Sequence, residues 1–426
     1  MWWKKWWVWL IVVVAVGGGI VAVVARQNAK HPTISTSPQP ASVAATDSVA
    51  VAAGKQLTAN HCSGTGTVAL NYAPMKPADI SIIDPYGLTV GGHVTPVDHE
   101  YYWAKNNVKD SSDVLALADG TLADIEYRPH SANDAARNGV AGDYRVTISY
   151  TCTFMSYFDL ATSLAPDIEA QLPKGWEQNG HGSNGNTDIN IPVKAGQAIA
   201  KMGGQSLDFA VWDMTKNNPK LLVPAAYAGE AWKIHTVAPL DYFSAAVKTS
   251  ILPFYARQAE PRDGYYAYDV AGKLIGSWFL KGSGGYNDPT KPPSGSYWAG
   301  HLAITPDWID PTVWGFSVGA YNGGDAKQFI IKPLVTDPAT IGVDTGMVKY
   351  ELLQGGQYQY ANGQQWNQMS TPTGPVTMPT NGVSQATALL QLTDANTLKV
   401  EVFPGQTPTQ VAAFTAAAKI YTRSGN

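Results

Sequence analysis

The stretch Val114-Leu115-Ala116-Leu117-Ala118-Asp119-Gly120-Thr121-Leu122 decides the fold class of this chain. Five apolar residues, long enough for a strand and too short for a helix, run directly into Asp-Gly, a dipeptide that marks a turn. The same texture continues on both sides. Short apolar runs at 68–70 and 80–83 precede it, and others follow at 144–150, 189–193, 198–202 and 207–212. Asp84-Pro85, Gly139, Gly142 and Gly203-Gly204 punctuate them as turns. In this part of the chain only 157–171 carries a helical pattern, so the body reads as mainly β.

Composition agrees. Charged residues make up 15% of the 426 positions, well below the roughly 25% of ordinary domains. Aromatic side chains are plentiful, with 14 Trp and 21 Tyr, and these fit a pleated, half-buried surface. The formal net charge of −4, with no Lys/Arg run, gives no footprint for nucleic acid and excludes that class of partner. Cys62 and Cys152 form a candidate disulfide in an oxidising compartment; two separate buried thiols are the alternative.

Outward from the β body, the two ends differ. Lys4 and Lys5 precede an uncharged apolar run at 6–25, and tryptophans at 2, 3, 6, 7 and 9 suit a membrane interface. Residues 1–25 therefore read as a signal-anchor transmembrane helix, single-pass, with the bulk of the chain extracytoplasmic; cleavage near Ala22 or Ala25 is the rival reading. Residues 26–56 read as a flexible stalk, because Ser, Thr, Pro and Ala dominate it and bury too little surface to fold alone. The first β domain with its connector takes 57–257, including a helix within 238–252. From 258 to 426 paired strand-like runs at 273–279, 301–304, 316–318, 329–331, 348–352, 388–392, 397–403 and 419–423 predict a second antiparallel β barrel or sandwich. Trp278, Tyr297, Trp298 and Trp308 there suit either a glycan platform or core packing.

Gly91-Gly92-His93-Val94-Thr95-Pro96-Val97-Asp98-His99-Glu100-Tyr101-Tyr102 is the segment richest in metal-capable side chains. Neutral imidazole and carboxylate are the usual ligands of zinc and other first-row metals. A polar loop with two exposed histidines is the competing reading. His130, His181 and His235 lie in loop-like contexts and read as surface histidines, and Gly180 to Asn186 reads as a loop tip.

Four pieces in order resemble the lysostaphin/LytM-type zinc metallopeptidases and their duplicated hybrid motif, a β-sandwich fold. The opening stretch is similar to that family's V-x-A-x-x-D-G-x-V; Val193-Lys194-Ala195-Gly196-Gln197-Ala198-Ile199-Ala200-Lys201-Met202-Gly203 resembles its V-x-x-G-x-x-I-x-x-x-G hairpin. Tyr144-Arg145-Val146-Thr147-Ile148 stands where the family has its central strand, and Tyr157-Phe158-Asp159-Leu160 where it has Y-x-H-L. The resemblance covers about 70–215 and implies a zinc site acting on cell-wall peptides.

The chemical positions depart from that pattern. Ser206 and Asp208 occupy the family's H-x-H positions, and Asp159 replaces a histidine, leaving Asp159 and Ser206 at former catalytic positions. His93 and Asp98 are five apart rather than four, with His99 as an extra candidate. The metal candidates are therefore His93, Asp98, His99 and Asp208, with zinc as the metal implied. A proton shuttle near neutral pH is normally His or a tuned carboxylate, and Ser206 is neither. The resulting expectation is a membrane-anchored, non-catalytic peptidase-like protein that binds cell-envelope glycan or peptide. A metal-dependent cell-wall endopeptidase or amidase with a rebuilt site, and a structural surface protein, are the alternatives.

Overall fold

A computed structural model describes residues 43–44, 47–130, 139–174, 176, 189–287, 296–333 and 336–426. The expected anchor at 1–25 and the stalk as far as residue 42 lie outside the described residues, as do His181 and the segment 180–186. Among the described residues no helix is long and apolar enough to cross a membrane.

The first helix, α1 (Asp47–Leu57), corrects the stalk reading at its C-terminal end. Ala50 is buried there against Met155, Tyr157, Ala210 and Trp212, with Ala53 and Leu57 beside it. Small side chains let this weakly apolar segment fold, because the body supplies the surface that it lacks by itself. At Gly54 the helix crosses the turn at Cys152, where a Cβ would stand 1.8 Å from the Cys152 carbonyl oxygen. Cys62 and Cys152 are joined by a disulfide with Cα atoms 4.9 Å apart, so the segment after α1 is tied to that same turn.

Among the described residues eleven strands build the two main sheets of the first domain: β1 (Ile80–Asp84), β2 (Glu100–Ala104), β3 (Ser112–Leu115), β4 (Gly120–Pro129), β5 (Gly142–Thr151), β6 (Phe154–Ala161), β7 (Ser163–Leu164), β8 (Ile191–Val193), β9 (Ala198–Met202), β10 (Leu207–Asp213) and β11 (Thr236–Val237), while Val43–Ala44 pairs separately with Lys216–Asn217. The large antiparallel sheet runs β1-β2-β10-β6-β5-β4-β8, with β11 beside β10, and a small sheet runs β3-β9-β7. The stretch from Val114 to Leu122 spans both. Its apolar half is β3 and the residues after it, and Asp119-Gly120 turns the chain into β4 of the large sheet. Asp119 fixes that corner by accepting from the Ala195 N–H (2.9 Å) and Lys194 Nζ (2.8 Å). Val114, Ala116, Leu117 and Leu122 share one core with Phe158 and Phe209. Full burial of each aliphatic contributes about 1.5–3 kcal/mol.

The helical expectation for 157–171 is corrected: Tyr157 to Ala161 belong to β6, and only α2 (Pro166–Glu169) is helical. Strand β6 lies inside the sheet between β10 and β5, and its residues other than Leu160 are buried. A strand covered on both faces has no apolar–polar alternation to distinguish it from a buried helix. The helix expected within 238–252 is α3 (Ala245–Ile251).

The second domain is a barrel, closed among the described residues by β12 (Gly276–Leu280), β13 (His301–Pro306), β14 (Trp314–Val318), β15 (Lys327–Ile331), β16 (Val348–Leu353), β17 (Ser384–Asp394), β18 (Thr397–Pro404) and β19 (Lys419–Thr422). Strand β12 pairs with both β13 and β19, which completes the ring. Trp278, Phe316 and Tyr350 fill it. Arg423 is 2% exposed; its guanidinium donates to Asp269 Oδ1 (2.8 Å) and to the carbonyls of Lys273, Ile275 and Ser277, and lies 3.7 Å from the Trp278 ring centre.

Polar contacts lock the barrel against the loop between β1 and β2. The Gln328 carboxamide bonds both the N–H and the carbonyl of Gly91 at 3.1 Å. The Trp298 ring presses on Gly92, where a Cβ would come within 2.9 Å of it. Between the domains, buried Arg257 donates to the carbonyls of Trp308 (2.8 Å) and Pro261 (2.9 Å).

Candidate functional site

Sheet register assembles the site. Asp208 at the start of β10 lies opposite Tyr101 of β2 on one side and Asp159 of β6 on the other. Residues directly opposite across a sheet present side chains to the same face, so the three form a row. One strand further, Arg128 of β4 faces Asp143 of β5, and Glu126 faces Arg145. The loop carrying His93, Asp98 and His99 folds over this row and is held there by Trp298 and Gln328.

Apart from Glu126, these groups together line a cavity of about 430 Å³ whose wall also includes Glu230, Trp232, Tyr286 and Tyr297. His93, Asp98, His99, Asp159 and Asp208 thus come together, although they are spread over more than a hundred residues. Ser206 stands just behind, its hydroxyl 3.5 Å from Asp208 Oδ1.

Two charge networks fill the floor. In the first, His99 sits between two carboxylates, with Nδ1 3.6 Å from Asp98 and Nε2 3.3 Å from Asp208. The Tyr101 hydroxyl bridges His99 Nε2 (3.0 Å) and His93 Nε2 (3.4 Å), and Lys233 Nζ lies 2.5 Å from Asp98 Oδ1. In the second, Asp159 accepts from Arg128, from Arg145 Nε (3.0 Å) and Nη2 (2.7 Å), and from the Leu160 N–H (2.7 Å). Arg128 also bonds Asp143 at 2.6 Å, and Arg145 lies over the rings of Tyr157 and Trp232.

Burial and these neighbours set the protonation states. Burial, aided by Asp159, pushes Asp208 up to about 7 against the pull of His99. Burial works against a charged His99, but the Asp208 and Asp98 carboxylates outweigh it and raise its value. His93 is lowered to about 4 by burial and by the charges of His99 and Lys233, and so stays neutral at physiological pH. Burial opposes ionised Asp98 and Asp159. Lys233 and His99 nonetheless hold Asp98, and Arg145 and Arg128 hold Asp159, below the usual carboxylate range. The site can therefore bind polar groups through fixed charges, and the His99–Asp208 pair can hold a proton near neutrality.

The zinc that the sequence resemblance implies does not fit these residues as they stand. Both ring nitrogens of His99 face protein groups, Asp98 is engaged by an ammonium, and His93 Nε2 points at the Tyr101 hydroxyl. Among the described residues no group of three or more His, Cys, Asp or Glu is arranged to hold a metal ion.

Lys233, Arg128, Arg145, Asp143, Glu230, Trp232 and Tyr286 were not expected from the sequence, whereas Tyr297, one of the four aromatics read as suiting a glycan platform or core packing, does line the cavity. The Arg128–Asp143 and Glu126–Arg145 pairs follow from the β4–β5 register once its turn is placed. Lys233 carries no local signal, being 135 residues from Asp98. Two histidines read as surface groups are instead engaged: His130 Nε2 lies 2.6 Å from Asp143, and His235 is 9% exposed with Nδ1 2.9 Å from the Lys216 carbonyl. The tryptophans of the second domain form no platform. Trp278 and Trp308 are buried, while Tyr297 and Trp298 sit half-buried against the first domain.

No protein-family model matches the chain, and no curated protein matches it. Solved structures do match over part of it. Csd3 of Helicobacter pylori is 18% identical, with 35% of this chain and 31% of that one covered and a TM-score of 0.21. A zinc-containing peptidase from Vibrio cholerae is 19% identical, with 35% and 38% covered and a TM-score of 0.23. Lysostaphin, the antimicrobial peptidase of Staphylococcus simulans, is 11% identical, with 74% and 100% covered and a TM-score of 0.23. This chain spans 31% and 38% of the length of the first two. At these scores the likeness is partial, and nothing about the chemistry of the site follows from it.

Proposed function

We propose that this chain is a non-catalytic, peptidase-like binding protein of the cell envelope that takes a peptidoglycan-type glycan or peptide in the cavity between its two domains. The observation that carries this reading is the cavity's lining: paired charges on the floor, with Trp232, Tyr286 and Tyr297 along the wall. Aromatic faces beside fixed polar groups suit sugars and short peptides. The sequence resemblance to the lysostaphin/LytM-type peptidases supports the choice of a cell-wall ligand, since the cavity is built from the positions where that resemblance puts metal and catalytic groups. Anchoring through residues 6–25 belongs to the same proposal. The disulfide supports an extracytoplasmic body, because such bonds persist in oxidising compartments.

The test uses the full-length protein in detergent with insoluble peptidoglycan and with soluble muropeptides. Sedimentation with peptidoglycan, weakened at least tenfold by Trp232→Ala or Tyr297→Ala and without release of soluble fragments, is the expected result. Fragment release abolished by chelation and by His93→Ala would replace the proposal with the enzymatic alternative.

A further inference from the structure

Imidazoles and carboxylates at the cavity floor are donors that a divalent cation takes, yet a cation belonging to the chain stands among them. Lys233 lies in the short helical segment Pro224–His235 and is 3% exposed. Its Nζ is 2.5 Å from Asp98 Oδ1 on one side and 4.5 Å from the centre of the Tyr286 ring on the other. A carboxylate and an aromatic face together enclose the ammonium. Its backbone is pinned as well, because the buried Tyr266 hydroxyl donates to the Lys233 carbonyl (2.8 Å) and reaches that of Thr236 (3.0 Å). Tyr286 is fixed in turn by His301, whose Nε2 meets the Tyr286 carbonyl at 2.7 Å. The position of this charge is therefore set by both domains.

We infer that the Lys233 ammonium, the cation fixed on Asp98, shuts divalent metals out, and that removing it turns His93, Asp98, His99 and Asp208 into a divalent-metal site. A metal ion on Asp98 would lie beside that ammonium in surroundings too dry to screen their repulsion. Without the ammonium, Asp98 keeps only His99, with Nδ1 at 3.6 Å, as a neighbouring cation, and its carboxylate joins two imidazoles and Asp208, the donor types that a divalent metal takes. The inference is independent of the ligand proposed above, since metal titration reads these donors directly.

The experiment titrates untagged, metal-stripped full-length protein with Zn²⁺ by calorimetry and with Co²⁺ by visible absorption. Wild type and Lys233→Arg, which keeps the charge, should take up no stoichiometric metal below millimolar concentration. Lys233→Ala and Lys233→Gln should each bind one equivalent at least a hundredfold more tightly than wild type, with intense Co²⁺ bands that adding His99→Ala abolishes. Wild-type uptake of one equivalent at micromolar metal, lost in His93→Ala or His99→Ala, overturns the inference whatever the variants do. So does failure of both neutral variants to bind metal while their circular dichroism matches wild type.

Discussion

Replacing Asp159 with Asn keeps the shape of the side chain and removes the charge that two guanidiniums share. Asp159 is 3% exposed and accepts from Arg128, from two nitrogens of Arg145 and from the Leu160 N–H. Breaking a buried ion pair by removing one partner costs about 3–5 kcal/mol, because the charge left behind is uncompensated. Two features pull the value to the lower end. Arg128 keeps Asp143 at 2.6 Å, and the Arg145 side chain is 22% exposed with Glu126 at 3.8 Å. The expected loss is thus about 3 kcal/mol, measured by urea unfolding at pH 7 with tryptophan fluorescence. A cycle with Arg145→Met should show a coupling above about 1 kcal/mol, as groups in one network do. The pH dependence has a definite sign. The folded Asp159 carboxyl lies below its unfolded value, so its contribution is present above about pH 4 and disappears as pH falls further. Wild type and variant should therefore converge as pH falls into the acid range. A loss under about 1 kcal/mol at pH 7, or a gap that persists unchanged in acid, would refute the account of Asp159 as the shared counter-ion.

Replacing Cys62 and Cys152 by Ser should lower stability by about 4.5 kcal/mol in the chain-entropy model for a separation of 90 residues, and denatured, non-reduced wild type should titrate no free thiol. Arg423→Met should destabilise the barrel by about 3 kcal/mol or more, seen as a lower urea midpoint, because Asp269 loses its buried partner and three carbonyls lose a donor. Melting temperature should be higher at pH 5.5 than at pH 8. Burial raises Asp84, Asp124 and Asp263 to about 7 and Asp307 to about 6, so the folded state holds protons that the unfolded chain releases above about pH 4. That stability is lost as pH rises through 6–7. The opposing groups, His93 and His301 lowered to about 4 and His235 also lowered by burial, are fewer. A melting temperature that rises from pH 5.5 to 8 would contradict those buried, protonated carboxyls.

What the sequence shows of this fold depends on how local the signal is. Strands β3, β9 and β10 and the barrel strands are bounded by Gly, Pro and Asp turns, and each is read from its own neighbourhood. Strand β6 is misread because both of its faces are covered, which removes the alternation that would identify it. α1 is misread because it is stabilised by Met155 and Trp212, a hundred residues and more downstream, and its Ala-rich composition carries no trace of them. In the site, His93, Asp98, His99, Asp159 and Asp208 are legible because their chemistry marks them. Lys233 is invisible to the same search: a lysine is no usual metal ligand, and only the packing of Pro224–His235 brings it to Asp98.

Closure of the barrel through β12 and β19 imposes an order on the protein's birth. Strand β12 ends at residue 280, while its second partner begins only at residue 419. During vectorial synthesis the earlier strand must wait, one flank unpaired, until residues 419–422 have emerged. A chain interrupted before residue 419 would carry an open sheet with two free flanks rather than a slightly shorter barrel, and such flanks invite strands from other molecules.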